Sequence, residues 1–275
     1  MRRDGKRVKS DDPIYAVVPY IMPHRYDAMN MITLDIPIDP IQKYRAELRR
    51  KGRVVSSMGV LLAAWLRTTR EFPLLNRFIA NKKIYQRNEY CVGMVVLKSG
   101  QDDGTMNKIF FDPDDNIFQV QEKIDAYVSK NREVEEKNST DKVVKFLLSV
   151  PGLVNFGVGV LRFADKHGLL PKKLIDASPF HVSLCISNLA SIRTNHIYHH
   201  TYEFGTTSLF ITMGNLREVA FREKGNEIVF KRCLPLGLVM DERICSGHYF
   251  ALAFERMKEY LNNPALLEEP YAPKD

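Results

Sequence analysis

Two short stretches of the 275-residue chain hold the side chains that acid–base or acyl-transfer chemistry needs. The first is NHIYHHTYEFG, which places His196, His199, His200 and Glu203 within eight positions. An imidazole with an unperturbed pKa of about 6.5 suits proton transfer at neutral pH. A metal would want histidines at i and i+4 of a helix, and the flanking sequence reads as a loop entering a strand, so a metal site is not expected. The bland alternative is a loop whose His and Tyr side chains only hydrogen-bond backbone. The second stretch is MDERICSG, with Asp241, Glu242 and Arg243 at a strand end and Gly247 opening a helix. Asp and Arg in such a place commonly pair structurally. Glu242 would act as a base only if burial raised its carboxyl from about 4.3.

The elements that must position these residues follow from periodicity and caps. IDPIQKYRAELRRKG predicts a helix with Asp39 as cap, Pro40 in the first turn, Gly52 at the stop, and Ile41, Tyr44 and Leu48 inward. A second helix is expected from Ser56 or Ser57 to about Phe72, where Pro73 ends it. NEYCVGMVVLK reads as a strand. A long helix follows, with Asp114 or Asp115 as cap and a buried stripe of Ile117, Val120, Ile124 and Val128. The apolar run 142–175 is broken by Pro151, Gly152, Gly157 and Gly159, which predicts two short helices that pack, wall an apolar pocket or lie on a membrane.

Strands dominate the last hundred residues. FHVSLCISNL alternates, with Phe180, Val182, Leu184 and Ile186 opposite His181, Ser183, Cys185 and Ser187. TTSLFITMG is a second strand. EIVFKRCLPLGLVM is a third, expected to turn Ile228, Phe230, Leu234, Leu236, Leu238 and Met240 to one face. Gly225-Asn226 makes a hairpin turn before it. The closing helix buries Phe250, Phe254, Met257 and Leu261. These signals give one α/β domain over residues 19–275, a mixed sheet with helices packed on it in a two-layer α+β sandwich. Residues 1–18 read as a basic, flexible tail.

Composition bounds the partners. No apolar run is long enough for a membrane span, and no signal-peptide core follows the basic start, so the cytoplasm is the expected compartment. The net charge of +7 is dispersed, and no nucleic-acid recognition motif is present. Cys91, Cys185, Cys233 and Cys245 have neither C-x-x-C nor zinc spacing and read as free thiols. A membrane surface is a minor possibility, through the basic start and the apolar run.

Taken in order, several motifs resemble the catalytic domain of the dihydrolipoyl acyltransferases of 2-oxoacid dehydrogenase complexes, which share the chloramphenicol acetyltransferase-like fold. ISNL (Ile186–Leu189) resembles the family's ISNLG, TTSLFITMG the strand after it, DERICSG the turn DHRxxDG, and KEYLNNPALLEEP the closing helix with its NPxLL tail. HRYDAMNMITLDIPID resembles the first strand with its arginine-rich entry. The likeness runs from about Pro19 to Pro270. It implies acyl transfer from a thioester, with coenzyme A thioester as co-substrate, no tightly bound cofactor and no metal. A thiol, hydroxyl or amine on a small molecule or carrier would be the acceptor. It also implies a homotrimer or assembly of trimers, with base and oxyanion donor drawn from different subunits. Residue by residue, Asp241, Arg243 and Gly247 match the turn, while Glu242 stands at the base and Ser246 at the second Asp. Ser187 matches the oxyanion donor and Asn188 its neighbour. The missing histidine moves the expected base to His199 or His200, with Glu203 or Glu242 in support, and the run around Leu147 to Leu161 is expected to line an acyl pocket. The other reading is a catalytically degenerate trimer that serves as a binding or scaffold module. HHTYEFG also resembles the HHxxxDG signature of related acyltransferases, with Phe204 where the Asp should be.

Overall fold

A computed structural model describes residues 2–9, 12–97, 104–133 and 152–272. The element order is β1 (Gly5–Arg7), α1 (Pro13–Ile21), β2 (Met29–Pro37), α2 (Asp39–Arg50), α3 (Ser57–Glu71), β3 (Arg77–Ala80), β4 (Lys83–Arg87), β5 (Tyr90–Leu97) and β6 (Gly104–Phe111). Then come α4 (Ile117–Glu133), α5 (Leu153–Lys166), α6 (Lys172–Ala177), β7 (Leu184–Asn188), β8 (Leu209–Met213), β9 (Arg217–Arg222), β10 (Ile228–Asp241) and α7 (Gly247–Asn262). A seven-stranded mixed sheet runs β2-β10-β8-β7-β5-β6, with β9 paired to the outer half of β10. The β5/β7 and β7/β8 pairs are parallel and the rest antiparallel. A small sheet, β1-β4-β3, stands beside it.

One face of the large sheet carries the main core. Leu184, Ile186, Leu236 and Leu238 meet Leu61, Trp65, Val120, Phe250 and Met257 from helices α3, α4 and α7. Burying a side chain of this size contributes about 1.5–3 kcal/mol. The second face carries a smaller cluster of Cys91, Val182, Cys185, Phe210 and Val239, packed against Met29 and Tyr202. Among the described residues the ring of His199 covers that face at Phe210, stacked at 4.3 Å.

Several sequence expectations need correction. The start is not a free tail: Arg2 and Asp4 are buried, and β1 pairs with β4. The charges that read as solvated neutralise one another, since Arg2 Nε donates to Asp4 Oδ1 at 2.9 Å and Arg2 Nη2 to Asp165 Oδ1 at 2.7 Å. The long helix α4 is capped by Asn116, whose Oδ1 accepts from the Phe118 and Gln119 amides. Asp115 instead closes the preceding turn on the Asp112 amide. Asp39 is the first helical residue of α2 and Ile38 holds the cap position without a side-chain bond. Ile228 and Phe230 are exposed because the β9–β10 ribbon runs beyond the helical layer, so only Leu234 to Met240 enter the core. Of the apolar run, residues 142–151 lie outside the described residues. From Leu153 onward it forms the two expected short helices, α5 and α6; Phe156, Val158, Val160, Leu161 and Phe163 of α5 stand exposed. The expected helices α2 and α3, the Ser56 cap, the buried α4 stripe at Ile117, Val120 and Ile124, and the Gly225-Asn226 turn are all present.

Candidate functional site

The candidate site is built on the second face, that of Phe210. Strand register sets Ser187 beside Thr212, Thr212 beside Gly237 and Gly237 beside Thr33, one row across four strands. The segment after β7 lies flat on this row. Ile197 donates its amide to Thr212 Oγ1 at 3.2 Å, and that hydroxyl donates back to the Ile197 carbonyl. So close an approach needs glycine beneath it. A Cβ on Gly237 would stand 2.4 Å from the Ile197 oxygen, and one on Gly214 would stand 2.2 Å from the His196 amide. His196 Nε2 is 3.0 Å from Thr33 Oγ1, which Tyr198 Oη also meets at 2.6 Å. Burial, then the nearby Arg217 charge, pulls the His196 pKa below the usual imidazole value, so this ring stays neutral at pH 7.

The segment then runs toward the other end of the strands, where the Thr201 amide reaches Met29 Sδ, opposite Asp241. His199 sits between the two ends, stacked on Phe210. Its Nδ1 is 2.8 Å from the His200 carbonyl oxygen. A carbonyl can only accept, so Nδ1 carries the proton and the neutral ring presents Nε2 as a lone pair. Phe210 is opposite Cys185, two residues from Ser187 on the same face. Strand geometry puts the Phe210 and Ser187 Cα atoms about 8 Å apart. The Ser187 hydroxyl has no side-chain or backbone partner among the described residues. His200 is exposed; its carbonyl accepts from His199 Nδ1, and its ring stacks on that of His199 at 4.8 Å.

The acidic candidates go elsewhere. Glu203 does not support a histidine of the loop: it accepts from the Arg25 amide at 2.8 Å, and its other oxygen is 3.5 Å from His24 Nδ1. Glu242 accepts from Asn30 Nδ2 at 2.7 Å and is partly exposed. It lies five residues beyond Gly237, hence about 17 Å along the strand from the Ser187 row and about 10 Å across it. One protomer therefore does not bring Ser187 and Glu242 together. Asn188 is exposed, and its carbonyl accepts from Ser191 Oγ.

Asp241 and Arg243 form the buried pair that holds the turn. Arg243 Nε and Nη2 reach the two carboxylate oxygens at 2.7 Å each, and Nη1 donates to the Met22 carbonyl at 2.9 Å. Ser246 caps α7 by accepting from the Tyr249 amide at 3.2 Å. Serine and aspartate cap helices comparably, so this departure from DHRxxDG keeps the cap. Gly247 is not needed for a tight turn, since a Cβ there would meet nothing within 4 Å. In the loop, Gly205 is needed: its φ is +90°, and a Cβ would stand 2.2 Å from the Phe180 carbonyl. Phe204 packs edge-on against Phe180 and His181, so EFG is a packing element. Cys185 and Cys245 are pushed up to about 12 by burial and stay as thiols. Among the described residues no group of three His, Cys, Asp or Glu side chains could hold a metal.

This mixed sheet, with α3, α4 and α7 on one face and its polar row on the other, has the chloramphenicol acetyltransferase-like fold, shared by the catalytic cores of dihydrolipoamide acetyltransferases. A probable dihydrolipoamide acetyltransferase from Listeria monocytogenes aligns over 96% of this chain and 98% of its own, at 13% identity and TM-score 0.58. The dihydrolipoamide acetyltransferase of Azotobacter vinelandii aligns over 94% of both chains, at 12% identity and TM-score 0.60. A chloramphenicol acetyltransferase aligns over 94% of this chain and 99% of its own, at 10% identity and TM-score 0.56. No protein-family profile matches the chain, and no curated protein sequence does.

Proposed function

We propose that the protein is an acyltransferase that moves an acyl group from a thioester, of acyl-CoA or acyl-lipoyl type, to a thiol, hydroxyl or amine acceptor. The observation that carries this reading is His199: Nδ1 tied to a carbonyl, Nε2 left as a base, on the face that bears the Ser187 hydroxyl, which has no partner among the described residues. Nε2 takes the proton of the acceptor as it attacks the thioester carbonyl carbon. The Ser187 hydroxyl donates to the oxyanion of the tetrahedral intermediate. Collapse breaks the carbon–sulfur bond, and the leaving thiolate takes the proton back from the imidazolium. Coenzyme A is the expected co-substrate, released as the free thiol.

The solved structures that share the fold support the reaction class. The Azotobacter vinelandii study concerns the roles of a serine, a histidine and an asparagine in that enzyme's catalytic mechanism. By the motifs, the matching positions here are Ser187, Glu242 and Ser246. A glutamate is a weaker base than an imidazole by roughly two pKa units, and the Glu242 carboxylate is already engaged by Asn30. His199 therefore takes the role of base in this reading. A homotrimer or an assembly of trimers fits it as well. One likeness is the cubic core of a pyruvate dehydrogenase multienzyme complex, and the separation of Glu242 from Ser187 in one protomer leaves their meeting to a neighbour.

The Glu242–Asn30 bond also supports a second reading, a degenerate scaffold that binds without turnover. Thermal shift against a panel of acyl-CoA thioesters, followed by mass-spectrometric detection of free coenzyme A with thiol, alcohol and amine acceptors, separates the two. Product formation is expected. Stabilisation by an acyl-CoA without any product would favour the scaffold.

A further inference from the structure

The face of Phe210 is not the only place where described side chains are left without partners. A cavity of about 330 Å³ opens between the C-terminal ends of α1 and α5. Its walls hold five permanent cations, Arg25, Lys82, Arg162, Lys166 and Arg243, against two carboxylates, Asp165 and Glu203. Both carboxylates are engaged, Asp165 by Arg2 and Glu203 by Arg25. Lys82, Arg162 and Lys166 are exposed and have no ion pair among the described residues. The Lys82 ammonium lies 5.2 Å from the Tyr20 ring of α1, which ties the β3–β4 turn to that helix. The cleft is an anion site by charge.

Its rim is apolar. On α5, Phe156 (70% exposed), Val160 (50%) and Phe163 (60%) recur at i, i+4 and i+7, one stripe of the helix. Arg162 and Lys166 flank that stripe toward the cleft. Asp165 is the one buried residue of α5. On α1, Ile14 (70%), Val17 (51%) and Ile21 (72%) form a second stripe with no charge in it. Gly157 and Gly159 have nothing within 4 Å of a would-be Cβ, so no neighbour explains them.

We propose that this face is a docking site for an anionic phospholipid surface. A lipid phosphate sits in the cleft among Lys82, Arg162 and Lys166, and the α1 and α5 stripes rest in the headgroup–acyl boundary. Apolar stripes flanked by Lys and Arg are the pattern of helices that lie in an interface. Charge favours an anionic surface over a second copy of the chain, whose own net charge is +7. Binding is peripheral, since no described helix is long and apolar enough to span a bilayer.

The test is co-sedimentation of the full chain with vesicles of phosphatidylcholine alone and of phosphatidylcholine mixed with phosphatidylglycerol. The wild type is expected to pellet with the anionic vesicles, to remain in solution with the neutral ones, and to be released by salt. Arg162→Gln with Lys166→Gln should lower partitioning about 25-fold, at about fivefold per charge. Phe156→Ser with Phe163→Ser should abolish it while far-ultraviolet circular dichroism stays unchanged, as these rings stand outside the core. Equal binding to both vesicle types, or none to either, would overturn the proposal. So would a wild type that ignores vesicles but drops to a smaller species in sedimentation velocity when the two phenylalanines are replaced; that result would assign the face to a second copy.

Discussion

Gly237→Ala probes the contact that seats the histidine segment on the sheet. The added Cβ would lie 2.4 Å from the Ile197 carbonyl oxygen, 2.7 Å from Thr212 Oγ1 and 3.1 Å from His196 Cδ2. The nearest of these atoms is backbone, so a rotamer change cannot relieve the clash. The segment has to lift, and the two Thr212–Ile197 bonds stretch. Overpacking of this kind costs about 1–3 kcal/mol, and each weakened bond about 0.5–1.5 kcal/mol. A loss of about 2–6 kcal/mol in urea unfolding is expected. His199 follows Ile197 by two residues, and a displacement of about 1 Å there should lower turnover about 100-fold. Stability within about 0.5 kcal/mol of wild type, with turnover unchanged, would refute the claim that the segment is held against β8 and β10 through this glycine.

Three further outcomes follow. Gly247→Ala, at the matching glycine of the DERICSG turn, should leave stability and turnover near wild type, because its Cβ enters open space; equilibrium unfolding checks it. Asp241→Asn removes the charge that pairs with buried Arg243 and should cost about 3–5 kcal/mol in the same assay. Burial alone would raise the carboxyl of Asp165, but His181 and Arg2 outweigh it and hold the group down to about 2. Its folded pKa lies below the ordinary 3.8, so it contributes about 2 kcal/mol above roughly pH 4, lost as pH falls toward 2. The pH dependence of unfolding for wild type and Asp165→Asn should differ in that window and run parallel above it.

Much of the fold was legible in the sequence because its signals are local. Ser56 and Pro73 bound α3, Gly225-Asn226 closes a hairpin, and alternation marks β7 and the inner half of β10. What was not legible depends on long-range pairing. Arg2 and Asp4 look solvated until Asp165, more than 160 residues away, joins them. Phe230 fits the alternation of its strand, yet its half of β10 pairs with β9 beyond the helical layer. The site was legible by composition and not by geometry. The histidine cluster and Ser187 were visible as candidates, but spacing does not distinguish a ring held by a carbonyl, His199, from an exposed neighbour, His200. The glycines under the segment, Gly214 and Gly237, gave no signal, because each is required by a chain crossing above it. His196 stood in the cluster, and only the row through Thr33 shows that it packs on the sheet.

The most direct test compares acyl transfer by wild type, His199→Ala and His200→Ala, read as free coenzyme A released from an acyl-CoA in the presence of acceptor. His199→Ala should lose about 10²–10⁴-fold in kcat. His200→Ala, which keeps the carbonyl that orients His199, should stay close to wild type. Full activity in His199→Ala, or a loss confined to His200→Ala, would contradict the assignment of His199 as the base.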